Sequence, residues 1–160
     1  MRIAVIGSNM VDLTAYIDRM PAPGETLEAP DFALGCGGKG ANQAVAAAKY
    51  DADVWMVTKV GSDIFADNTI ANFKACGVNT TYVRKTEGSS GVAPIFVDRS
   101  GQNSILIIKG ANNRLLPRDI DEAEADLKKC GMILLQLEIP LETVYYAIDF
   151  GQKHGIPVLL

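Results

Sequence analysis

The sequence predicts an α/β protein built on a parallel β-sheet, with a small accessory β-sheet beside it. Short continuous apolar runs, which are typical of strands buried on both faces, alternate with helical segments along the chain. Two segments with hairpin-like patterns, 12–34 and 91–108, interrupt this alternation. The 160 residues are 48% apolar and 21% charged, which is sufficient apolar material for a folded core.

The first elements begin at the N-terminus and run through the first hairpin-like segment. The apolar run Arg2–Ile6 predicts a buried parallel strand. Alternating apolar and polar residues predict short, partly exposed strands over Leu13–Ile17 and Leu27–Leu34, with a turn at Pro21–Gly24 between them. Five alanines favour a helix over Ala41–Tyr50.

The next elements comprise one strand, one helix and a hairpin. Asp63 can cap the start of the helix and Gly77 can end it, because these residue types favour those positions. Turn-forming residues at Arg99–Gln102 connect the two hairpin strands. The predicted bounds are a strand over Val54–Val60, a helix over Ile64–Cys76, and hairpin strands over Val92–Asp98 and Asn103–Ile108.

The C-terminal part of the sequence continues the alternation of helices and strands. An amphipathic helix is predicted over Pro117–Lys129, where acidic residues come early and lysines late, as the helix dipole favours. A buried strand over Met132–Leu137 and a helix over Leu141–His154 follow. The apolar run Val158–Leu160 predicts the start of a further buried strand. This succession indicates a parallel sheet.

Composition excludes several classes of function. The chain has 15 Lys and Arg residues against 19 Asp and Glu residues, so its formal net charge is −4, whereas nucleic-acid binders carry a basic patch. No apolar run approaches the roughly 20 residues that span a bilayer, and no signal-peptide pattern follows the first strand. Three widely spaced cysteines indicate neither a disulfide framework nor a zinc site. We therefore expect a cytoplasmic protein that binds neither nucleic acid nor membrane.

A glycine cluster carries the strongest chemical signal. Gly35, Gly37 and Gly40 satisfy the pattern G-x-G-x-x-G, but a dinucleotide fingerprint belongs in the first strand-to-helix turn, and this cluster comes roughly 30 residues later. In a phosphate loop the last glycine is followed by Lys and then by Ser or Thr. Here Gly40 is followed by Ala41 and Asn42, so the pattern fails. A nicotinamide-dependent dehydrogenase therefore remains only a third alternative, and glycines that merely allow close packing remain another.

The side chains around this cluster suit a polyhydroxylated ligand. Gly37 and Gly38 allow the backbone to approach a ligand closely, Lys39 adds a cationic donor, and Asn42 adds an amide that both donates and accepts.

Two acidic residues follow the ends of predicted strands. Asp12 and Glu138 come just after apolar strands, at the edge where open α/β sheets bind ligands. A turn residue at Asp12 and a solvated strand end before Pro140 are the structural alternatives.

Several segments together resemble the ribokinase family of carbohydrate kinases, of the phosphofructokinase-B type. The resemblance covers essentially the whole chain. It implies a ribokinase-like fold of three layers, in which a parallel sheet has helices on both faces, with a small β-lid formed from about 12–34 and 91–108. It implies that Asp12 and Glu138 accept hydrogen bonds from sugar hydroxyls and that Gly37, Gly38, Lys39 and Asn42 contact the sugar. The segments that carry it are Gly7–Asp12, Pro23–Thr26, Gly37–Ala44, Gly91–Ala93, Lys109–Asn112 and Gln136–Glu138.

One residue departs from the family pattern. Ribokinases usually carry Asn where this chain has Met10, and the resemblance places that side chain at the 2-position of the sugar. A thioether is only a weak acceptor, so a buried 2-hydroxyl would be left unpaired at a cost of about 1–3 kcal/mol. The chain therefore resembles the deoxyribokinase subgroup, with ribose as a poorer substrate. The alternative is an ordinary ribokinase in which Met10 is neutral variation.

Parts of a kinase are missing from the sequence. The resemblance places the catalytic Asp in a Gly-Ala-Gly-Asp type motif and a metal and phosphate function in an Asn-x-x-Glu motif, and neither occurs here. We therefore expect residues 1–160 to be a truncated N-terminal part without the nucleotide half, and inactive alone. ATP, Mg²⁺ and a monovalent cation are implied only for the parent enzyme.

Two further expectations concern assembly and a rival function. The resemblance implies a homodimer through the lid strands, and exposed strand edges supply a physical reason for such pairing. The rival is a non-catalytic sugar-binding or assembly module. We expect a natural short domain not to end inside an apolar strand at Leu160, so the gene sequence beyond that codon would separate the two hypotheses.

Overall fold

The computed structural model describes all residues from Met1 to Leu160 and contains nine β-strands and five α-helices. The strands are β1 Arg2–Ile6, β2 Met10–Tyr16, β3 Asp31–Gly37, β4 Asp53–Val60, β5 Asn79–Lys85, β6 Val92–Val97, β7 Asn103–Ile105, β8 Met132–Leu135 and β9 Val158–Leu159. The helices are α1 Lys39–Lys49, α2 Ile64–Ala75, α3 Pro117–Asp121, α4 Glu124–Leu127 and α5 Leu141–His154, with a 3₁₀ helix at Gly110–Arg114.

The central sheet has five parallel strands in the order β5-β4-β1-β8-β9. Strand β1 lies in the middle, and its Ile6 is in register with Val57 of β4 on one side and Leu135 of β8 on the other. This position explains the continuous apolar run at the N-terminus, because a central parallel strand is covered on both faces.

Two apolar cores lie on the two faces of this sheet. Val5 packs with Phe73 of α2 in one core, whereas Ile6 packs with Leu127 of α4 and Phe150 of α5 in the other. Successive side chains of a strand point to opposite faces, so neighbouring residues of β1 enter different cores. The predicted three-layer α/β architecture with helices on both faces is confirmed.

A second sheet of four strands, in the order β3-β2-β6-β7, forms the lid. Strand β2 pairs antiparallel with β3 and parallel with β6. The strand predicted over Leu27–Leu34 is instead β3, and the strand predicted to begin at Leu13 begins at Met10. Both shifts have one cause. Strands β2 and β3 pair without a break from Tyr16↔Asp31 to Met10↔Gly37, and this pairing includes Gly35 and Gly37 in β3.

The single helix predicted over Pro117–Lys129 is wrong, because the structure has two short helices there. The first of these helices ends at Asp121, and there the Ile120 carbonyl accepts a hydrogen bond from Ala123 N at 3.0 Å, an i→i+3 bond that tightens the chain. Ile120, Ala123 and Leu127 nevertheless remain buried, so the amphipathic pattern correctly identifies the buried face.

The two outer strands of the central sheet differ in how clearly the sequence predicts them. Strand β5 was not predicted, because in Asn79–Lys85 only Val83 is buried and the segment lacks an apolar run. Strand β9, predicted from its apolar run, pairs with β8, and Leu159 is 58% exposed within residues 1–160. Strand β5 lacks a neighbour on one side, which weakens the apolar pattern that reveals a strand.

None of the helices combines the length with the apolar character that crossing a membrane requires. The three cysteines, Cys36, Cys76 and Cys130, are all free thiols. Burial raises the pKa of the Cys130 thiol to about 11, which makes it a poor nucleophile at neutral pH.

Candidate functional site

A cleft of about 200 Å³ lies between the lid and the carboxyl ends of the central strands. One wall comes from the lid and the other from the start of α1 and the segment after β8. The lining residues are Met10, Asp12, Gly38, Lys39, Asn42, Ala93, Ile95, Ile105, Ile107 and Glu138. The cleft therefore combines an apolar cover with a small number of polar and charged groups, which is the usual composition of a small-molecule site.

The lid wall is built by strand register. Asp12 of β2 lies opposite Ala93 of β6, and Ile95 of β6 lies opposite Ile105 of β7. Residues that are opposite each other in neighbouring strands point to the same face of a sheet. The lid therefore presents one carboxylate and a row of apolar side chains to the cleft.

Asp12 is the half-buried carboxylate of this wall. Burial raises the pKa of Asp12, and the negative charge of Glu138 raises it further. The Cα of Gly37 packs so closely behind Asp12 that a Cβ at residue 37 would lie 2.7 Å from Oδ1. Because the protein offers this carboxylate no hydrogen-bond donor of its own, it is available to accept from a ligand.

The start of α1 forms the opposite wall of the cleft. The first N–H groups of this helix are capped by residues that follow β1 and β8. Gly38 is the N-cap with a φ of 92°, and it has no side chain with which to bond the first N–H groups. Lys39 N instead donates to Glu138 Oε2 at 3.0 Å, Gly40 N to Ser8 Oγ at 3.2 Å, and Ala41 N to Ser8 O at 2.8 Å. These contacts satisfy the N–H groups that a helix start leaves unpaired.

Glu138 joins this helix to the first strand. Its Oε2 also accepts from Ser8 Oγ at 2.7 Å, and its Oε1 accepts from Lys39 Nζ at 2.5 Å. Burial alone would raise the pKa of Glu138, but the hydrogen bonds from Lys39 and Ser8 outweigh it and leave the pKa below its ordinary value. The carboxylate is therefore ionised and favours the positive end of the α1 dipole.

Comparisons with known proteins agree with this geometry. Residues 1–160 match the family profile described as pfkB family carbohydrate kinase. The chain belongs to the pfkB family of carbohydrate kinases. It is 69% identical over 161 residues to a deoxyribokinase from Salmonella typhi and 43% identical over 159 residues to a ribokinase from Bacillus subtilis. These alignments cover 100% and 99% of the chain, but 53% and 54% of the two relatives.

A solved pfkB-family structure shares the fold. The ribokinase of Arabidopsis thaliana, complexed with ribose and ATP, superposes with a TM-score of 0.87 and is 35% identical. The match covers 98% of this chain and 51% of that protein. The chain thus spans about half the length of the relatives that it matches.

Six of the seven residues that the sequence predicts to bind sugar line the cleft of this pfkB-family chain: Met10, Asp12, Gly38, Lys39, Asn42 and Glu138. The seventh, Gly37, does not line the cleft, and its Cα packs against the Asp12 carboxylate. Met10 is only 3% exposed, so its side chain belongs to the floor of the cleft rather than to its rim.

Sequence reasoning missed the residues that support this pfkB-family site. Asn9, fully buried, donates from Nδ2 to Thr58 Oγ1 at 2.8 Å and to Lys59 O at 2.7 Å, and Ser8 bonds both α1 and Glu138. Both residues lie in Gly7–Asp12, so the family resemblance was the signal that could have found them. The cleft position of the lid isoleucines could not be predicted from the sequence, because isoleucine is common in strands of any kind.

No group of three or more His, Cys, Asp or Glu side chains is placed to hold a metal ion. The N-terminus of α1, where a phosphate could bind, is occupied by Glu138 and Ser8. ATP and Mg²⁺ therefore remain predictions for the parent enzyme.

Proposed function

We propose that this chain supplies the sugar-binding half of an ATP-dependent kinase that phosphorylates the 5-hydroxyl of 2-deoxyribose, with ribose as a poorer substrate. The observation that carries the proposal is the buried thioether of Met10 on the floor of the cleft, two residues from the Asp12 carboxylate. The 69% identity to a protein named deoxyribokinase supports the same substrate.

Each polar residue of the cleft has a role in this proposal. The carboxylate of Asp12 accepts hydrogen bonds from sugar hydroxyls, and the Asn42 amide binds another hydroxyl. The carboxylate of Glu138 holds Lys39 and the start of α1 in place, and its remaining lone pairs accept from the sugar. The isoleucines of the lid cover the apolar face of the ring and exclude water.

The Met10 side chain discriminates between the two sugars because it offers a 2-hydroxyl no strong hydrogen-bonding partner. A 2-hydroxyl facing a thioether loses its hydrogen bonds to water and gains only a weak acceptor, at a cost of about 1–3 kcal/mol. The sugar without that hydroxyl avoids this cost. An apolar pocket rejects an added hydroxyl by only about 10²-fold, so ribose is still phosphorylated slowly.

The test compares kcat/KM for 2-deoxyribose and ribose in the full-length product of the gene. We expect the wild-type protein to prefer 2-deoxyribose and Met10→Asn to move the preference toward ribose. Met10→Leu is the matched control, because it keeps an apolar side chain and should keep the preference. A wild-type protein with the higher kcat/KM for ribose would be an ordinary ribokinase, and the proposal would be wrong.

The chemistry of phosphoryl transfer belongs to residues outside 1–160 in this proposal. The chain contains neither motif that the family resemblance assigns to that step, and it spans about half of its relatives. The catalytic Asp, the ATP and Mg²⁺ sites and any monovalent-cation site are assigned to the other half, and the enzyme to the cytoplasm. If the full-length product binds pentose but transfers no phosphate from ATP, the chain is instead a non-catalytic module.

The lid is proposed to pair two subunits. Its face opposite the cleft carries Phe32, Leu34 and Leu106, which are 57%, 49% and 61% exposed. Burying these side chains against a second lid would be favourable. We expect Leu106→Glu to convert a dimer to a monomer in analytical ultracentrifugation, whereas Ile64→Glu, at an 86% exposed position on α2, should not. A wild-type monomer would refute the pairing.

A further inference from the structure

Asn112 is a fully buried amide at the point where the chain leaves the lid. It lies in the 3₁₀ helix that follows β7, and its side chain reaches across to the connection between β1 and β2. Oδ1 accepts from Asn9 N at 2.9 Å, and Nδ2 donates to Asn9 O at 2.7 Å and to Lys109 O at 2.9 Å. The same Nδ2 lies 3.7 Å from Met10 Sδ.

These contacts hold Met10 through its preceding residue. Both backbone polar atoms of Asn9 are bonded to the Asn112 amide, and the Asn9 side chain is bonded to the end of β4. The backbone that enters Met10 is therefore fixed from two sides, and the weak contact to Sδ favours one orientation of the thioether.

Gly91 completes the enclosure around the thioether. A Cβ at Gly91 would lie 2.7 Å from Met10 Sδ and 2.7 Å from Asn9 O, which is closer than real Cβ contacts allow. The same Cβ would overlap the Asn112 amide nitrogen, so the amide and the Gly91 backbone lie together beside the Met10 sulfur and restrict its position.

We propose that Asn112 is a positioning residue for sugar discrimination, because its amide orients the Met10 thioether on the floor of the cleft. The inference rests on the proposed function, in which Met10 faces the 2-position of the sugar. Without the amide, Met10 gains freedom to move aside, water enters beside the 2-hydroxyl, and ribose regains a hydrogen-bonding partner.

The test measures kcat/KM for 2-deoxyribose and ribose in the full-length gene product and takes their ratio. We expect Asn112→Ser to lower the ratio by roughly tenfold, because the discrimination of an apolar pocket against a hydroxyl is itself only about 10²-fold. Asn113→Ser is the matched control, since Asn113 is the exposed neighbour of the same type. A general loss of stability lowers activity on both sugars and leaves the ratio unchanged.

A double-mutant cycle shows whether Asn112 acts through Met10. In a Met10→Ala background there is no thioether to orient, so Asn112→Ser should change the ratio by less than about twofold. An equal effect of Asn112→Ser with and without the Met10 side chain would overturn the positioning role.

A second variant keeps the proposal testable if Asn112→Ser does not fold. Gly91→Ala places a methyl group against both the Asn112 amide and the Met10 sulfur, so it disturbs the same contact and should also lower the ratio. An unchanged ratio in a folded Gly91→Ala protein would overturn the inference. A wild-type ratio at or below one refutes the proposed function, and this inference with it. A wild-type ratio above one that is the same in Asn112→Ser and Asn113→Ser refutes the role of Asn112 alone.

Discussion

Lys59 and Asp119 form an ion pair of 3.0 Å between β4 and α3, and both side chains are more than nine-tenths buried. Asp119 Oδ2 also accepts from Leu116 N at 2.8 Å, which satisfies an N–H at the start of α3. The pair lies directly beneath the site, since the carbonyl of Lys59 accepts from the Asn9 side chain.

Removal of one partner should destabilise the fold strongly. Asp119→Leu leaves the Lys59 ammonium buried without its counter-charge, so we expect the free energy of unfolding, measured with urea, to fall by about 3–5 kcal/mol. The double variant Lys59→Met with Asp119→Leu should recover much of this loss, because no unpaired charge remains. Arg84→Leu, which breaks the exposed pair of Arg84 with Glu122, is the control and should cost less than about 1 kcal/mol.

Two glycines of β3 provide a matched pair for the Asp12 site. Gly35 and Gly37 lie on the same face of the strand, but a Cβ at Gly35 would lie 3.6 Å from Asp12 Cβ, an ordinary contact, whereas one at Gly37 would overlap the Asp12 carboxylate. We expect Gly37→Ala to raise the KM for sugar by about tenfold or more in the full-length protein. Gly35→Ala should leave KM within about twofold, and equal effects of both would refute this account of Asp12.

The charges of Asp12 and Glu138 are coupled across the cleft. Burial is the main cause of the raised pKa of Asp12, and the Glu138 carboxylate adds to it. Glu138→Gln removes that negative charge, so the pKa of Asp12 should fall, as measured by NMR titration of its carboxyl carbon. Glu142→Gln, at an exposed position in the first turn of α5, should leave the titration unchanged. A rise in the pKa of Asp12 in Glu138→Gln would contradict the geometry.

The Asp63 carboxylate should make the free energy of unfolding depend on pH in the acidic range. Burial by itself would raise the pKa of its carboxyl, but hydrogen bonds from Ser90 N at 2.7 Å, Ser90 Oγ at 2.8 Å and Phe65 N at 3.2 Å lower it below its ordinary value. The ionised carboxylate therefore stabilises the fold above its unfolded pKa of about 3.9, and this contribution is lost as the pH falls through the lower folded pKa.

Asp63→Asn is the variant that isolates this charge. We expect it to lower the free energy of unfolding by roughly 1 kcal/mol at pH 6, with the difference shrinking toward pH 3. Asp67→Asn, whose carboxylate is 83% exposed, is the control and should show a smaller change at both pH values. A difference for Asp63→Asn that stays constant with pH would contradict the role of its charge.

The sequence predicts those strands and helices that are buried deeply enough to need a recognisable pattern of apolar residues. Strands β1, β4 and β8 are central and read as apolar runs, and α5 is both amphipathic and ended by Gly155 in the left-handed region. Strand β5 buries only Val83 and leaves no such pattern. The break between α3 and α4, after Asp121, is accompanied by i→i+3 hydrogen bonds, which the spacing of apolar residues does not encode.

In the candidate site, too, residue types can be recognised in the sequence, whereas contacts between distant residues cannot. Asp12, Lys39 and Asn42 line the cleft, and they could be predicted to lie together because their residue types and a family resemblance point to one site. The contacts of Asn112 could not, because its partner Asn9 lies 103 residues away and only the folded chain brings them together. The resemblance includes Lys109–Asn112, but the sequence of that segment does not show which groups the Asn112 amide contacts.

The bond from Ser8 to Glu138 joins residues 130 positions apart, and it forms only where β8 lies beside β1. Such distant pairings are slow to form, so this wall of the cleft should be completed late in folding. A sugar that needs the finished cleft would then bind neither the early intermediates nor an incomplete nascent chain. Its stabilising effect should therefore appear as slower unfolding of the finished protein, with little change in the folding rate.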